Sequence, residues 1–355
     1  MTFQIAFQIK CPGGNVTKIS FLANKRWPMA VAAGLCTIGF ISGCTPQEAA
    51  GPGSAAVDSA IASALKEEGK VQFTTVGDLE QDIQANLMVA VVNELGGRAE
   101  VLQGAVTETM AAASKGQPIV GMVNWRWQTP ELWDKYVGEG GVVEVGTTDY
   151  PGEEGWYVPA YVIKGDEKRG IEPACPGLPN WEALNDCASA FATAKTGNKG
   201  QYMSGAESWA FAYGDPQRIE NLNLNYEMVF AGSEAALYAD LTRAYEQGKP
   251  WLGLMWRPNY MTQKYDLTRV EFPEHSAECW GKTYACQWPE TVIYQWASSV
   301  IEKDHPTLWQ ILKNYDLNND QLQELQAKVI DDGLSPQEAV KEWMQDNRDV
   351  WTSWA

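Results

Sequence analysis

Residues 248–258 read Gly-Lys-Pro-Trp-Leu-Gly-Leu-Met-Trp-Arg-Pro. Trp251 to Trp256 is an apolar strand started by Gly-Lys-Pro and meeting Arg257-Pro258. Before it, Ser233 to Gln247 has the spacing of an amphipathic helix, and Tyr226 to Phe230 reads as another strand. Strand, helix and strand in succession mean a parallel sheet with helices on its faces. The same alternation fills the first part of the chain. Val71–Val76 is a strand, Leu79–Leu95 a helix stopped by Gly96-Gly97, and Ala99–Leu102 a second strand. Thr107–Lys115 is helical, Pro118–Val123 is an apolar strand, Glu131–Gly138 is helical and Gly141–Gly146 is a strand. Gly155 to Ile163 is strongly β-prone. Trp181–Ala190 and Ser208–Ala212 are expected to be helical, as is everything from Glu290 to the end.

This order predicts an α/β protein of two lobes, each a sheet flanked by helices. Residues 70–160 with 257–355 form lobe 1, and 161–256 form lobe 2. Ligands of such sheets sit beyond the C-terminal ends of the strands, so a second lobe turns that position into a cleft.

Composition narrows the function. The chain has 355 residues, 45% apolar and 20% charged, which is ordinary for a globular protein and argues against disorder. Its net charge of −18 would repel phosphate backbones, so no nucleic-acid partner is expected. Two histidines, His275 and His305, leave little for imidazole chemistry. No nucleophile elbow, phosphate loop, dinucleotide fingerprint or zinc-protease motif is present, and no enzyme activity, cofactor or metal is expected. Glu153-Glu154 has the composition of a glycosidase acid pair, but in so acidic a chain it reads as solvated loop.

The N-terminus reads as an address. Residues 1–43 contain Lys10, Lys18, Lys25 and Arg26 and no acid. The apolar run Met29–Ile41 is too short to span a bilayer but suits the core of a secretory signal. It ends in Ile41-Ser42-Gly43-Cys44, which resembles a bacterial lipoprotein signal with Cys44 as the lipidated residue. Residues 44–69, rich in Ala, Gly and Pro at their start, read as a flexible spacer. The expected location is periplasmic or cell-surface, held to the membrane by the lipid. Four further cysteines remain, Cys175, Cys187, Cys279 and Cys286. An even number in an exported chain suggests disulfides. Three pairings exist, and Cys175–Cys187 with Cys279–Cys286 is favoured because its loops are short. A zinc site would want closer spacing and nearby His.

The chain contains 16 Trp. Trp251, Trp296, Trp309 and Trp343 read as core or helix-face residues. Trp125, Trp156, Trp209 and Trp256 stand at or just after apolar β-runs, where cleft residues lie. Indole faces attract a cation without a hydrogen bond, each contact contributing about 0.5–2 kcal/mol. A quaternary ammonium has no N–H to donate, so ring faces are its natural partner. A carboxylate would also bind Lys and metal ions; a box of indoles selects against them.

Four stretches carry a resemblance over residues 70–354: Gly155-Trp-Tyr-Val-Pro-Ala-Tyr-Val, the segment 248–258, Lys264-Tyr-Asp-Leu, and Asp349-Val-Trp-Thr-Ser-Trp. The chain resembles the substrate-binding proteins of ABC importers for glycine betaine, choline and related osmoprotectants. The resemblance implies a type II periplasmic-binding-protein fold with the ligand between the lobes, and an ABC permease as partner. It puts Trp125, Trp156, Trp209 and Trp256 at cage positions, with Tyr157 as an alternate for Trp156. It implies backbone N–H groups at a helix-opening loop for the anionic end of the solute. Ser204, Gly205 and Ser208 lie in the matching loop, and Gly77 in its counterpart in the first lobe. Asn259 stands where some relatives place His, and donates a hydrogen bond but no charge. The Cys279–Cys286 loop also looks like a family feature.

Choline, carnitine, dimethylsulfoniopropionate and proline betaine are alternative ligands, which the cage alone would barely distinguish. A Trp-lined carbohydrate-binding protein is a further alternative, since indoles also stack on sugars, and an exported hydrolase using Glu or Asp is another.

Overall fold

Val142 to Pro159 forms one strand of 18 residues, and it organises the molecule. The computed structural model describes residues 59–355, so the expected signal segment, Cys44 and residues 44–58 of the spacer lie outside the described residues. Nine strands are present among the described residues: β1 Lys70–Thr75, β2 Arg98–Gln103, β3 Ile119–Trp125, β4 Val142–Pro159, β5 Gly200–Ser204, β6 Tyr226–Phe230, β7 Gly253–Arg257, β8 Leu267–Arg269 and β9 Thr291–Ser298. They run in the order β2-β1-β3-β9-β4-β7-β5-β6, with β8 beside β4.

The sheet has two halves joined by β4. Its first part pairs with β9 through residues 142–152, and its second part pairs with β7 through residues 153–157. In the first half β1, β2 and β3 are parallel and β9 is antiparallel to both β3 and β4. In the second, β5 is parallel to β6 and β7. The mixed α/β architecture is the expected one. Each half has its own core. Phe73, Ile83, Leu87, Val120, Ile293, Leu322 and Trp343 belong to the first, and Trp156, Tyr202, Leu254, Val270 and Trp288 to the second.

Several expectations need correction. Residues 59–68 of the expected spacer are a helix: the run is rich in Ala, Leu65 is buried, and the Glu68 carboxylate accepts from the N–H groups of Thr307 and Leu308 at 2.7 and 3.1 Å. Residues 291–298 are a strand, not a helix. Their β-branched and aromatic side chains suit a central position between β3 and β4, which a run of later helices concealed. The strands expected at 141–146 and from 155 are one continuous strand. Trp181–Leu184 and Ala188–Phe191 are short 3-10 turns. The chain returns from the second half in β9, because β8 pairs with residues 157–159 of β4; the expected return was at residue 257. Cys175 and Cys187, and Cys279 and Cys286, form the two disulfides, with Cα–Cα separations of 5.6 and 6.3 Å.

Gly121 of β3 shows how closely the first half is packed. A methyl group there would meet the Trp296 indole at 2.3 Å, in strand β9 directly opposite. Gly121→Ala is expected to destabilise the protein by about 1–3 kcal/mol through overpacking, read as a lowered midpoint in urea unfolding.

Candidate functional site

A cavity of about 530 Å³ lies where strand ends of the two halves meet. Val76, Gly77 and Asp78 follow β1, Trp125 ends β3, Ala206, Trp209, Ala212 and Tyr213 follow β5, Gly232, Ser233 and Glu234 follow β6, and Trp256 lies near the end of β7. These are C-terminal strand ends, the positions open to a ligand in this architecture. Gly77 sits at φ +91°, a backbone conformation that favours glycine, and so lets the chain turn from β1 into the helix Leu79–Glu94.

Three expected cage residues, Trp125, Trp209 and Trp256, line this cavity. Glycines make room for two of the indoles. A Cβ on Gly152 of β4 would approach Trp125 at 2.5 Å, and one on Gly205 would approach Trp209 at 2.4 Å. The rings of Trp209 and Trp256 meet edge to face, with centroids 5.9 Å apart and planes at 79°. Tyr238 backs Trp256 at 6.0 Å. Trp256 is paired in register with Glu154 of β4.

The remaining expected residues are placed differently. Trp156 does not line the cavity. It is fully buried in the second core, stacked on Tyr202 at 4.0 Å, and its indole N–H donates to Asp215 at 2.9 Å. Tyr157 is also fully buried, its hydroxyl donating to Glu153. Trp156 shares the face of Glu154 but lies one step further along β4, inside the second core, and Tyr157 points to the opposite face, into a separate cluster with Met255 and Leu267. Ser204 ends β5 away from the cavity lining and is buried. Gly205 serves as the seat of Trp209 and does not line the cavity. Ser208 lies in the turn Glu207–Trp209, and its side chain lies outside the described residues. Asn259 is buried as the N-cap of the helix Tyr260–Lys264, accepting from Met261 N–H at 2.8 Å and donating to the Tyr238 hydroxyl.

The lining also includes four carboxyl groups, Asp78, Glu80, Glu154 and Glu234, and no Lys, Arg or His among the described residues. Asp78 caps the helix Leu79–Glu94, accepting from Gln81 N–H at 2.8 Å, and burial first and Glu234 second push its pKa up to about 7. Burial, then Asp78, raises Glu80. Burial pushes Glu154 up to about 8, against the lowering effect of its donors. Glu154 accepts from the Tyr213 hydroxyl at 2.8 Å and Gln128 at 3.1 Å, while its Oε2 is buried without a hydrogen-bond partner. Burial raises Glu234 as well. Glu154, read from sequence as solvated, is therefore a wall of the cavity; the signal was its place two residues before buried Trp156 and four before buried Val158, on one face of one strand. Glu80, Glu234, Gln128 and Tyr213 carry no motif or spacing that marks them in the sequence.

Known proteins place the chain. The family described as "Substrate binding domain of ABC-type glycine betaine transport system" matches residues 69–346. A trimethylamine N-oxide-binding protein of Pelagibacter ubique is 30% identical over 239 residues, covering 62% of this chain and 73% of that protein. A glycine betaine/carnitine transport binding protein of Listeria monocytogenes is 26% identical over 122 residues, 34% of this chain and 37% of that protein. Two solved structures share the fold. A choline binding protein of an ABC transporter, in complex with choline, has a TM-score of 0.61 at 17% identity, covering 81% of this chain and 91% of its own. A lactococcal glycine betaine complex in the closed, liganded conformation has a TM-score of 0.60 at 18% identity, covering 81% and 99%.

The two kinds of tryptophan separate by experiment. Trp156→Ala removes a fully buried ring and is expected to destabilise the protein by about 3–5 kcal/mol in urea unfolding. Trp209→Ala, on the cavity wall, is expected to cost less than half of that.

Proposed function

Because this chain belongs to the family of substrate-binding domains of ABC-type glycine betaine transport systems, we propose that its cavity holds the methylated ammonium group of a small solute, glycine betaine or a related compound. The bound form is then presented to an ABC permease. One observation carries this reading: Trp125, Trp209 and Trp256, from three separate segments, converge on one cavity whose described lining has no competing cation. Ring faces and nearby carboxyl groups both favour a positive, methylated nitrogen once water is excluded. Proteins of this role work outside the cytoplasm, and Cys44 after Ile41-Ser42-Gly43 supports a lipid anchor in this chain.

The carboxyl groups favour a second, narrower reading, in which the solute has no carboxylate. A lining with four acids and no cation offers the anionic end of glycine betaine no positive partner. Glu154, pushed up to about 8, holds its proton at neutral pH and can donate it in a hydrogen bond to a neutral or dipolar oxygen. An N-oxide or a hydroxyl meets that requirement, and a relative 30% identical to this chain is a trimethylamine N-oxide-binding protein.

Fluorescence titration with trimethylamine N-oxide, choline, glycine betaine, carnitine, dimethylsulfoniopropionate and proline betaine tests both readings, with a sugar as control. Trp209→Ala and Trp256→Ala are each expected to weaken binding of the preferred solute at least about tenfold, the loss of one to two ring contacts. Unchanged affinity in both variants would refute the cage. Preference for glycine betaine over the solutes without a carboxylate would refute the narrower reading alone.

A further inference from the structure

A hydrogen bond from a helix start crosses the cavity from one half of the sheet to the other. The Leu79 N–H, at the start of the helix Leu79–Glu94 in the first half, donates to Glu234 Oε2 at 3.0 Å. Glu234 opens the helix Glu234–Glu246, which follows β6 in the second half. Asp78, the residue before Leu79, shares the cavity wall with Glu234. A brace stands behind Glu234 on its own side: Tyr238 donates to its Oε1, and Asn259 donates to the Tyr238 hydroxyl. The bridging carboxyl is thus held in place from behind, and it holds the first N–H of the helix that Asp78 caps.

We propose that Glu234, holding the first N–H of the helix that Asp78 caps, forms with Asp78 a latch that takes up one proton as the two halves close over a solute. The proposal deepens the reading of this cavity as a solute site and rests on it. Burial disfavours the charge on each carboxyl, and two ionised carboxylates near each other also repel; one proton on the pair relieves both and leaves the Leu79 bond intact. Every other titratable group facing the pair adds negative charge or none. Asp82 and Glu80 lie on the same helix as Asp78, Glu154 on β4, and Tyr213 and Tyr238 supply neutral hydroxyls. No Lys, Arg or His among the described lining residues offsets them. Opening separates the pair into solvent and returns each carboxyl to its ordinary range.

The sign follows. A carboxyl whose pKa is raised in the closed form binds more protons there than in the open form. Closure is favoured at low pH and weakens as pH rises from the ordinary carboxylate range toward about 7, the value to which Asp78 is pushed. Above that both forms are ionised and the dependence levels off.

The experiment compares the wild type with Glu234→Gln, whose amide oxygen still accepts from Leu79 but carries no exchangeable acid proton. Asp78→Asn, which keeps an acceptor for the helix cap, is the second variant. The probes are trimethylamine N-oxide and glycine betaine, both without net charge. Between about pH 5.5 and about pH 7.5 the wild-type Kd is expected to rise at least about fivefold, and that of either variant to rise less than half as much, because burial still raises the carboxyl that remains while the repulsion between the two is gone. Glu154 is present in all three proteins, so its own titration cancels. Equal slopes in wild type and both variants would overturn the latch. If neither probe binds at any pH, the solute reading fails. The latch is then judged by small-angle X-ray scattering of the unliganded proteins, in which the wild type alone should expand with rising pH. An equal radius of gyration at both pH values would overturn it.

Discussion

The antiparallel register of β4 against β7 is the constraint on which the site depends. It sets Glu154 opposite Trp256 and Trp156 opposite Leu254. β4 also pairs with β9 on the first-half side, and its Gly152 is the seat of Trp125. One strand therefore fixes a ring from the first half, a carboxyl on the cavity wall and the partner of a ring from the second half. A shift of one residue would send Glu154 into the neighbouring layer and bring Gly155 or Glu153 opposite Trp256. The length of β4 is functional in this sense: a break between the halves would free the cage walls to drift apart.

The chemistry follows from enclosing rings and acids together. Indole faces alone give a weak, unselective preference for methylated nitrogen, each contributing about 0.5–2 kcal/mol. Four carboxyl groups sharpen it, because burial makes ionising all of them unfavourable and a cation relieves that strain. Burial also keeps Glu154 protonated near neutrality, which turns an acid into a hydrogen-bond donor. On the proposed reading, rings take the methylated positive end of a small dipole and a neutral acid takes its oxygen.

Legibility in the sequence was uneven for physical reasons. The α/β alternation was readable because strand, helix and turn signals lie within short windows. The strand 291–298 was not, since a β-run with few turn residues around it precedes a long helical tail. Trp125, Trp209 and Trp256 were readable from their position at strand ends. Trp156 misled because its setting is also a strand, and only the register shows that its side chain leaves the cavity for Tyr202 and Asp215. The acids were missed for the opposite reason. In a chain with net charge −18 an acidic residue is ordinary, and only three-dimensional burial marks Glu80 and Glu154 as different from the solvated majority.

What holds Glu154 in its role lies behind the cavity. The Tyr213 hydroxyl donates to Glu154, and the Tyr213 carbonyl accepts from Arg218 at 3.3 Å. Arg218 is fully buried, paired with Asp215 at 2.6 Å, stacked over Trp288 at 3.5 Å and donating to the Cys286 carbonyl at 3.1 Å. An ion pair taken wholly out of water returns little net stability, because desolvation offsets most of its attraction. Its evident effect here is orientation. Asp215 takes the indole N–H of Trp156 and the hydroxyl of Tyr202, while Arg218 ties the turn carrying Tyr213 to the Cys279–Cys286 loop. Tyr284 of that loop lies against Gly214, where any Cβ would strike its ring at 2.1 Å. The buried tryptophan that sequence assigned to the solute thus serves the site at one remove, by fixing the acid and arginine that aim Tyr213 at Glu154.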